Sequence, residues 1–310
     1  MIIQKIRTFL LSTQKVFLSA MILAFIWGRP AHFTKHLVFW ALLIIMVFSI
    51  AEIDLSKIIK NTTACFFFKE TFNLLIVNYL FLGGIIWLLT YFLIDDRDLY
   101  RGFILMATIP SAVAVVPFSY LLGGDEKIAL IGTVSLYFCS LFISPLVAYF
   151  LLGVKGVILY ELIKVLLLII LLPIFLSRIL IRMPFYKDVK PASPIIINLG
   201  FFIVIYSVIG LNRELFFSRF DLLSIIILIA IIRTFGTGYL MELWGRIIGM
   251  SIKKRITYIF FAGYKNLGLT ATVALIIFNP KTTAPSAACI FLELIFFISA
   301  SFYYKKIKKA

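Results

Sequence analysis

Residues 260–269 read "FFAGYKNLGL", and they decide how this chain is understood. The stretch is as apolar as a membrane-spanning helix until it reaches Lys265, which sits between Tyr264 and Asn266, far from either end of the hydrophobic run. Gly263 and Gly268 flank the Lys-Asn pair, so a helix is expected to break here. Unwound backbone at membrane depth is tolerated only where protein or a watery cavity surrounds it.

A second interruption lies upstream. "ATIPSAVAVVPFSYLLGGD", residues 107–125, carries Pro110 and Pro117 inside one apolar run. Each proline removes a donor and clashes with the carbonyl one turn earlier, at about 3 kcal/mol in a helix interior. An unbroken helix is not expected there.

The surrounding composition fixes the solvent. The chain has 310 residues, of which 63% are hydrophobic, and its mean hydropathy is +1.09. Such a surface is incompatible with a soluble domain, and apolar runs long enough to cross about 30 Å of hydrocarbon recur throughout. Bounding the runs by charges, Gly and Pro predicts ten spanning helices, at about 8–28, 36–53, 70–94, 99–122, 127–152, 156–181, 192–212, 221–245, 256–279 and 284–304. The interruptions then fall in the fourth and the ninth. Ten crossings put both termini on one side. With that side as the cytoplasm, 19 of the 30 Lys/Arg lie inside, among them Lys57, Lys60, Lys308 and Lys309; eight lie outside, and Lys164, Arg233 and Lys265 fall within spans. This is the positive-inside pattern, and it predicts an integral protein of the plasma (inner) membrane with cytoplasmic termini. Lys164 is expected to snorkel at a helix end beside Glu161.

The net charge of +16 does not signal nucleic-acid binding, because the cations sit in short loops between spans. Cys65, Cys139 and Cys289 lie in apolar stretches without CxxC spacing and read as buried small hydrophobes. Lys5 and Arg7 before an apolar run resemble a signal peptide, but no small-residue cleavage site follows, so a retained first helix is expected. No loop has room for a nucleotide-binding domain, and no cofactor or metal site is expected. One membrane transport domain is predicted over 1–310. If it arose by duplication, the halves are 1–152 and 153–310, each with five helices. Five is odd, so the second half enters the membrane inverted, as in secondary transporters. Paired interruptions in corresponding helices point to a midplane binding site. Kinked packing with close Gly contacts is the plainer alternative.

"PSAVAVVPFSYLLGGD" (110–125), followed by the Ser/Thr-bearing "GTVSLYFCSLFISPL" (132–146), resembles the fourth and fifth helices of the bile acid:sodium symporter family, in the bile/arsenite/riboflavin transporter superfamily. The family's fourth-helix signature runs Pro-Gly-Gly-x-x-Ser-Asn, then Tyr-Leu-x-x-Gly-Asp; Pro110, Tyr120, Leu121, Gly124 and Asp125 fall at matching intervals. Its ninth-helix pattern Glu-x-Gly-x-Gln-Asn-x-x-Leu meets Phe261, Gly263, Lys265, Asn266 and Leu269. The resemblance implies an all-α protein of ten transmembrane helices, built as two inverted five-helix repeats whose broken fourth and ninth helices cross at the midplane. The departures matter. The Ser-Asn pair that helps hold sodium in the family corresponds to Val115 and Val116, and its ninth-helix Glu and Gln become Phe261 and Lys265. Sodium loses several oxygen ligands, and a Lys⁺ about 4 Å away repels it by about 4 kcal/mol at an effective dielectric of 20.

The expectation is therefore a secondary carrier, not an enzyme, in which Lys265 stands in for the coupling cation. A buried lysine can also exchange a proton during transport. A fixed structural ion pair is the competing role for Lys265. Arg233, in "IIRTFGTG", and Glu293, in "IFLELIFF", are candidate partners within the bundle formed by the eighth, ninth and tenth helices. One carboxylate cannot neutralise two cations, which favours a small anionic substrate with proton coupling or uniport. Asn73 falls where the family carries a polar sodium ligand, and Asn266, Thr133, Ser135 and Ser111 offer hydrogen bonds at the crossover, each also capable of serving only as packing glue.

Rival readings have identifiable gaps. The arsenite-efflux branch resembles the fourth helix equally, but its functional cysteine corresponds to Ser111 and its ninth-helix acid to Gly268. Sodium coupling through other ligands stays open. "LLGGD" resembles the Gly-x-Gly-Asp element of intramembrane aspartyl proteases, yet the other aspartates, such as Asp54 and Asp221, fall in loops or at helix ends. His32 and His36 are the only histidines, and no HExxH exists. A channel or receptor would hold Lys265 fixed, without anion binding.

Overall fold

The computed structural model describes residues 2–52 and 62–307; Lys57, Lys60, Lys308, Lys309 and Asp54, counted above, lie outside them. Every regular element among the described residues is helical. Chain after chain of apolar residues leaves the backbone no water to bond, and only intra-helical bonding satisfies it in hydrocarbon. The helices are α1 (Ile2–Leu11), α2 (Thr13–Ile26), α3 (Ala31–Ala51), α4 (Ala64–Leu93), α5 (Arg97–Thr108), α6 (Val115–Leu121), α7 (Glu126–Leu152), α8 (Gly156–Leu180), α9 (Tyr186–Leu211), α10 (Phe220–Ile247), α11 (Ile252–Gly263), α12 (Leu267–Ile277) and α13 (Pro280–Ile307). A short helix, Arg213–Ser218, joins α9 to α10.

Eight of these rods are long and apolar enough to cross a membrane, α11 and α12 counting together as one. All ten predicted segments are occupied by helix, but two fall short of that length. The first splits at Ser12, leaving α2 with 14 residues, about 21 Å of helix. The fourth is divided into α5 and α6 by non-helical residues 109–114. Pro110 lies in that gap, whereas Pro117 sits in the first turn of α6, where its missing N–H has no helical partner to lose. The ninth is interrupted at Tyr264–Asn266, between Gly263 and Leu267. Helix starts are set by side-chain caps: the Asp96 carboxylate accepts from the amides of Asp98 and Leu99, and Asp125 from that of Ile128. Gly153, with φ of 62°, ends α7 in the left-handed conformation that glycine adopts without penalty. Lys164 meets Glu161 at 3.4 Å on an exposed face, as expected.

The same element pattern recurs along the chain. Helix starts at residues 31, 64, 97 and 126 return at 186, 220, 252 and 280, a spacing of 154–156 residues. Both α3 and α9 open with four α-helical residues and a 3-10 turn, and both α4 and α10 contain a π-helical stretch, Ile76–Gly83 and Ile232–Gly236.

In space, α2, α3, α8 and α9 pack together, and α4–α7 with α10–α13 form a second group. Glycines allow the close approaches within each group: a Cβ on Gly210 would meet Ala31 Cβ at 2.7 Å, and one on Gly102 would meet the Thr282 carbonyl at 2.2 Å. Towards one end, a single apolar cluster joins Ala24, Ile45, Phe103, Ile209, Ala230 and Ala288 across both groups. Towards the other, a separate cluster around Phe260, Phe261, Tyr258 and Phe296 stays within the second group, and a cavity opens beside it.

Candidate crossover site

The two interruptions touch. Tyr264 takes extended geometry (φ −119°, ψ 137°), as does Ile109 (φ −73°, ψ 145°), and the Asn266 amide donates to the Pro110 carbonyl at 2.8 Å. Asn266 then caps α12, its Oδ1 accepting from the Leu269 amide at 2.9 Å, while its Nδ2 bonds the Tyr137 hydroxyl of α7.

Lys265 is wholly enclosed. Its Nζ donates to the Asn78 carbonyl (2.8 Å), Asn78 Oδ1 (2.9 Å) and the Ala107 carbonyl (3.0 Å), and it lies 4.6 Å from the centre of the Tyr79 ring. Three acceptors match the three protons of an ammonium group. The backbone supplies two of them for structural reasons. Ala107 lies in the last turn of α5, where carbonyls have no helical donor and the helix dipole favours a cation. Asn78 lies in the π-helical stretch of α4, a local widening that occurs often at functional sites. Asn78 Nδ2 donates to the carbonyls of Phe261 (2.9 Å) and Tyr264 (3.3 Å), which turns Oδ1 towards the ammonium. Gly83 keeps the approach open, since a Cβ there would stand 3.0 Å from the Ala107 carbonyl.

Arg233, equally enclosed, lies in the π-helical stretch of α10. Its Nη2 pairs with Glu293, its Nη1 points at Met106 Sδ (3.5 Å) and its Nε donates to Thr234 Oγ1 (2.9 Å). Glu293 Oε1 also accepts from the Lys265 backbone amide at 3.2 Å, and the Glu293 carbonyl accepts from the Tyr264 hydroxyl. Glu293 thus engages Arg233 by its charge and Lys265 only through the main chain. The Lys265 ammonium points the other way.

A cavity of about 510 Å³ lies against this crossover. Its floor is formed by residues 264–268, Glu293 and the start of α6; Phe17, Ile45 and Phe201 of the first group face it, and Glu52 and Glu126 stand among its remaining walls. It is mostly apolar. The N-terminal residues of α12, Leu267 and Gly268, line it and turn the positive end of that helix's dipole towards it.

The sequence-selected residues are distributed unevenly about this centre. Lys265, Asn266, Pro110, Arg233 and Glu293 meet there. Gly263 supports it, since a Cβ would stand 2.9 Å from the Thr234 carbonyl. Ser111 is buried in the α5–α6 gap, and among the described residues its hydroxyl has no partner. Thr133, its hydroxyl likewise without a partner among the described residues, faces a smaller apolar cavity of about 100 Å³ beside Met46 and Tyr137. Ser135 bonds only carbonyls of its own helix, Ile131 and Gly132. Asn73 is not brought to Lys265; it stands beside the Tyr258 hydroxyl, which donates to Glu70. The asparagine at the crossover is Asn78, in the same apolar run, "FNLLIVNYLFLGG". Its polarity amid that run was a readable signal. The Ala107 carbonyl left none, because any residue type carries one. Phe261 is fully buried against Gly132 and Leu74, so apolar packing fills the region beside Lys265.

No curated protein matches the chain. A family model does: the two broken helices meeting over a cavity, within a chain of apolar spanning rods, lie inside a match to the SBF-like CPA transporter family over residues 9–300, and this integral membrane protein, a transporter and not an enzyme, belongs to that family.

Proposed function

We propose that the protein is a sodium-independent secondary transporter of a small organic anion, in which the Lys265 ammonium takes the place of a coupling cation. The observation that carries this reading is the cage of three oxygens, from Asn78 and Ala107, closed around Nζ at 2.8–3.0 Å. A free cation entering that cage would meet a charge already there, and the side chains of Phe261 and Val115, both buried, carry no oxygen ligands. The protein carries its cation by covalent tether. The anion itself is met by the N-terminal end of α12 rather than by the ammonium, whose protons are all donated. Arg233 and Lys265 against the single Glu293 leave the core positive, which favours an anion in the adjoining cavity.

The recurring element pattern supports one transport domain over 1–310, made of two inverted halves, 1–152 and 153–310, with ten crossings in which α2 and the α5–α6 pair complete the count. The predominance of Lys and Arg on one side supports cytoplasmic termini in the plasma (inner) membrane. The cavity then opens to the cytoplasm. Transport proceeds as the two helix groups shift about the crossover and expose it alternately to each face, with proton coupling or uniport supplying direction.

The test is the thermal stability of the detergent-purified protein against a panel of organic anions plus arsenite, with sodium or choline as counter-ion. A ligand at 100 times its Kd adds about 2.7 kcal/mol. Stabilisation by one anion class, equal in sodium and choline, is expected. Stabilisation that requires sodium, or that arsenite alone produces, refutes the reading.

A further inference from the structure

Of the three charged side chains at the crossover, two are sealed and one is open. Lys265 and Arg233 have no exposed surface; Lys265 and Glu293 both border the cavity, but only the Glu293 side chain, 10% exposed, is open to it. Within its carboxylate the two oxygens differ. Oε1 receives Arg233 and the Lys265 amide; among the described residues Oε2 has no hydrogen-bond partner and yet is not a sealed, unsatisfied atom, and Glu293 lines the cavity, so Oε2 faces it. Other ionisable groups confront it only at a remove or from fixed positions. Arg233 reaches it from α10, the Lys265 amide and the Tyr264 hydroxyl from the ninth-helix gap, and Cys289 lies one turn away on α13 itself. From α5 comes Met106, which does not titrate, and the first group presents Phe17, Val204 and Ile205. Glu52, Glu126 and Tyr120 belong to other walls of the cavity.

Building on the anion-transport reading above, we propose that Glu293, rather than Lys265, binds and releases the coupling proton. Water in the cavity delivers the proton to Oε2: a hydronium ion becomes water and the carboxylate becomes a neutral carboxylic acid. The reverse transfer, with the cavity open to the other face, releases it. Protonation removes the one negative charge of the cluster and leaves Arg233 and Lys265 unbalanced, so the site attracts an anion more strongly. By reciprocity the bound anion strengthens proton binding. Proton and anion therefore travel together, and the Lys265 ammonium, locked by its three acceptors, stays charged throughout.

Two measurements test this. First, the purified protein is treated with dicyclohexylcarbodiimide, an apolar reagent that attacks protonated carboxyls, in mildly acidic and mildly alkaline buffer, and adducts are located by peptide mass spectrometry. An adduct on Glu293 that diminishes as pH rises is expected. Absence of the adduct at every pH overturns the proposal without reference to any substrate. Second, the anion panel is repeated across pH with wild type, Glu293→Gln and Glu293→Asp. Wild-type affinity is expected to fall with rising pH by up to about tenfold per unit, the limit for one linked proton. Glu293→Gln, fixed in the neutral form, is expected to bind independently of pH, and Glu293→Asp to restore the dependence. Persisting pH dependence in Glu293→Gln, with the Glu293→Asp protein folded, assigns the proton elsewhere and refutes the role. If no anion binds any variant, the anion reading fails and the carbodiimide result alone decides the carboxylate.

Discussion

Removing the tethered cation should create a site for a free one. In Lys265→Ala, the carbonyls of Asn78 and Ala107 and Asn78 Oδ1 lose their donor, and the Tyr79 ring loses the cation over its face. Hydrogen bonds to a charged group contribute about 1.5–3 kcal/mol each. Against that gross loss stands the cost of keeping an ammonium out of water, several kcal/mol that the variant no longer bears. The balance is a destabilisation of about 2–4 kcal/mol. At about 2 °C per kcal/mol for a chain of this size, the melting temperature falls by about 4–8 °C. The assay is thermal unfolding in detergent, with methylammonium or choline in the buffer. Methylammonium fits the donor distances of the vacated cage, and at ten times its Kd it returns about 1.4 kcal/mol. Lys265→Met, whose side chain fills the space without charge, should be destabilised and not rescued. A Lys265→Ala protein as stable as wild type refutes the cage, and equal rescue of the Met variant shows the cation acting elsewhere.

Three further outcomes are expected. Arg233→Met should cost up to about 3–5 kcal/mol in thermal unfolding in alkaline buffer, where the largely buried Glu293 carboxylate is left charged without its cation, and the double change with Glu293→Met should recover much of that. Among the described residues, Asn212 Nδ2 to Thr283 Oγ1, at 2.6 Å, is the one side-chain hydrogen bond that joins the two helix groups. A disulfide formed in Asn212→Cys/Thr283→Cys should therefore hold that end closed and stop uptake into proteoliposomes until reductant is added; unimpaired uptake in the oxidised protein counts against relative motion of the groups. In the loop before α5, partial burial raises the Asp96 carboxyl, but hydrogen bonds from Lys281 and the Leu99 amide outweigh it and hold the carboxyl below its ordinary value. A depressed carboxyl stabilises the fold above its unfolded value and ceases to do so as pH falls through the folded one. Asp96→Asn should therefore melt below wild type at neutral pH and converge with it below about pH 4.

Residue chemistry along the chain dictates the solvent, the rods and the places where they break. Apolar runs must form helices in hydrocarbon because the backbone has no other partner, and Pro110 and the Gly263–Gly268 interval disrupt that bonding through local chemistry alone. Lys265, Arg233 and Glu293 were legible for a related reason, since a charge at membrane depth needs a compensating environment wherever it is. What surrounds those charges was not legible. Two of the three atoms holding the Lys265 ammonium are backbone carbonyls, which every residue carries; one lies where α5 ends at Thr108 and the other where α4 is π-helical around Asn78. The choice of Asn78 over Asn73 likewise depends on which helical face meets the crossover, a property of packing between segments distant in sequence. Tertiary structure alone decided that the lysine ammonium is enclosed against α4 and α5 while the glutamate side chain keeps some exposure at the cavity, because direction is set by which acceptors lie within reach, and those come from α4 and α5 rather than from the neighbours of Lys265 in the chain.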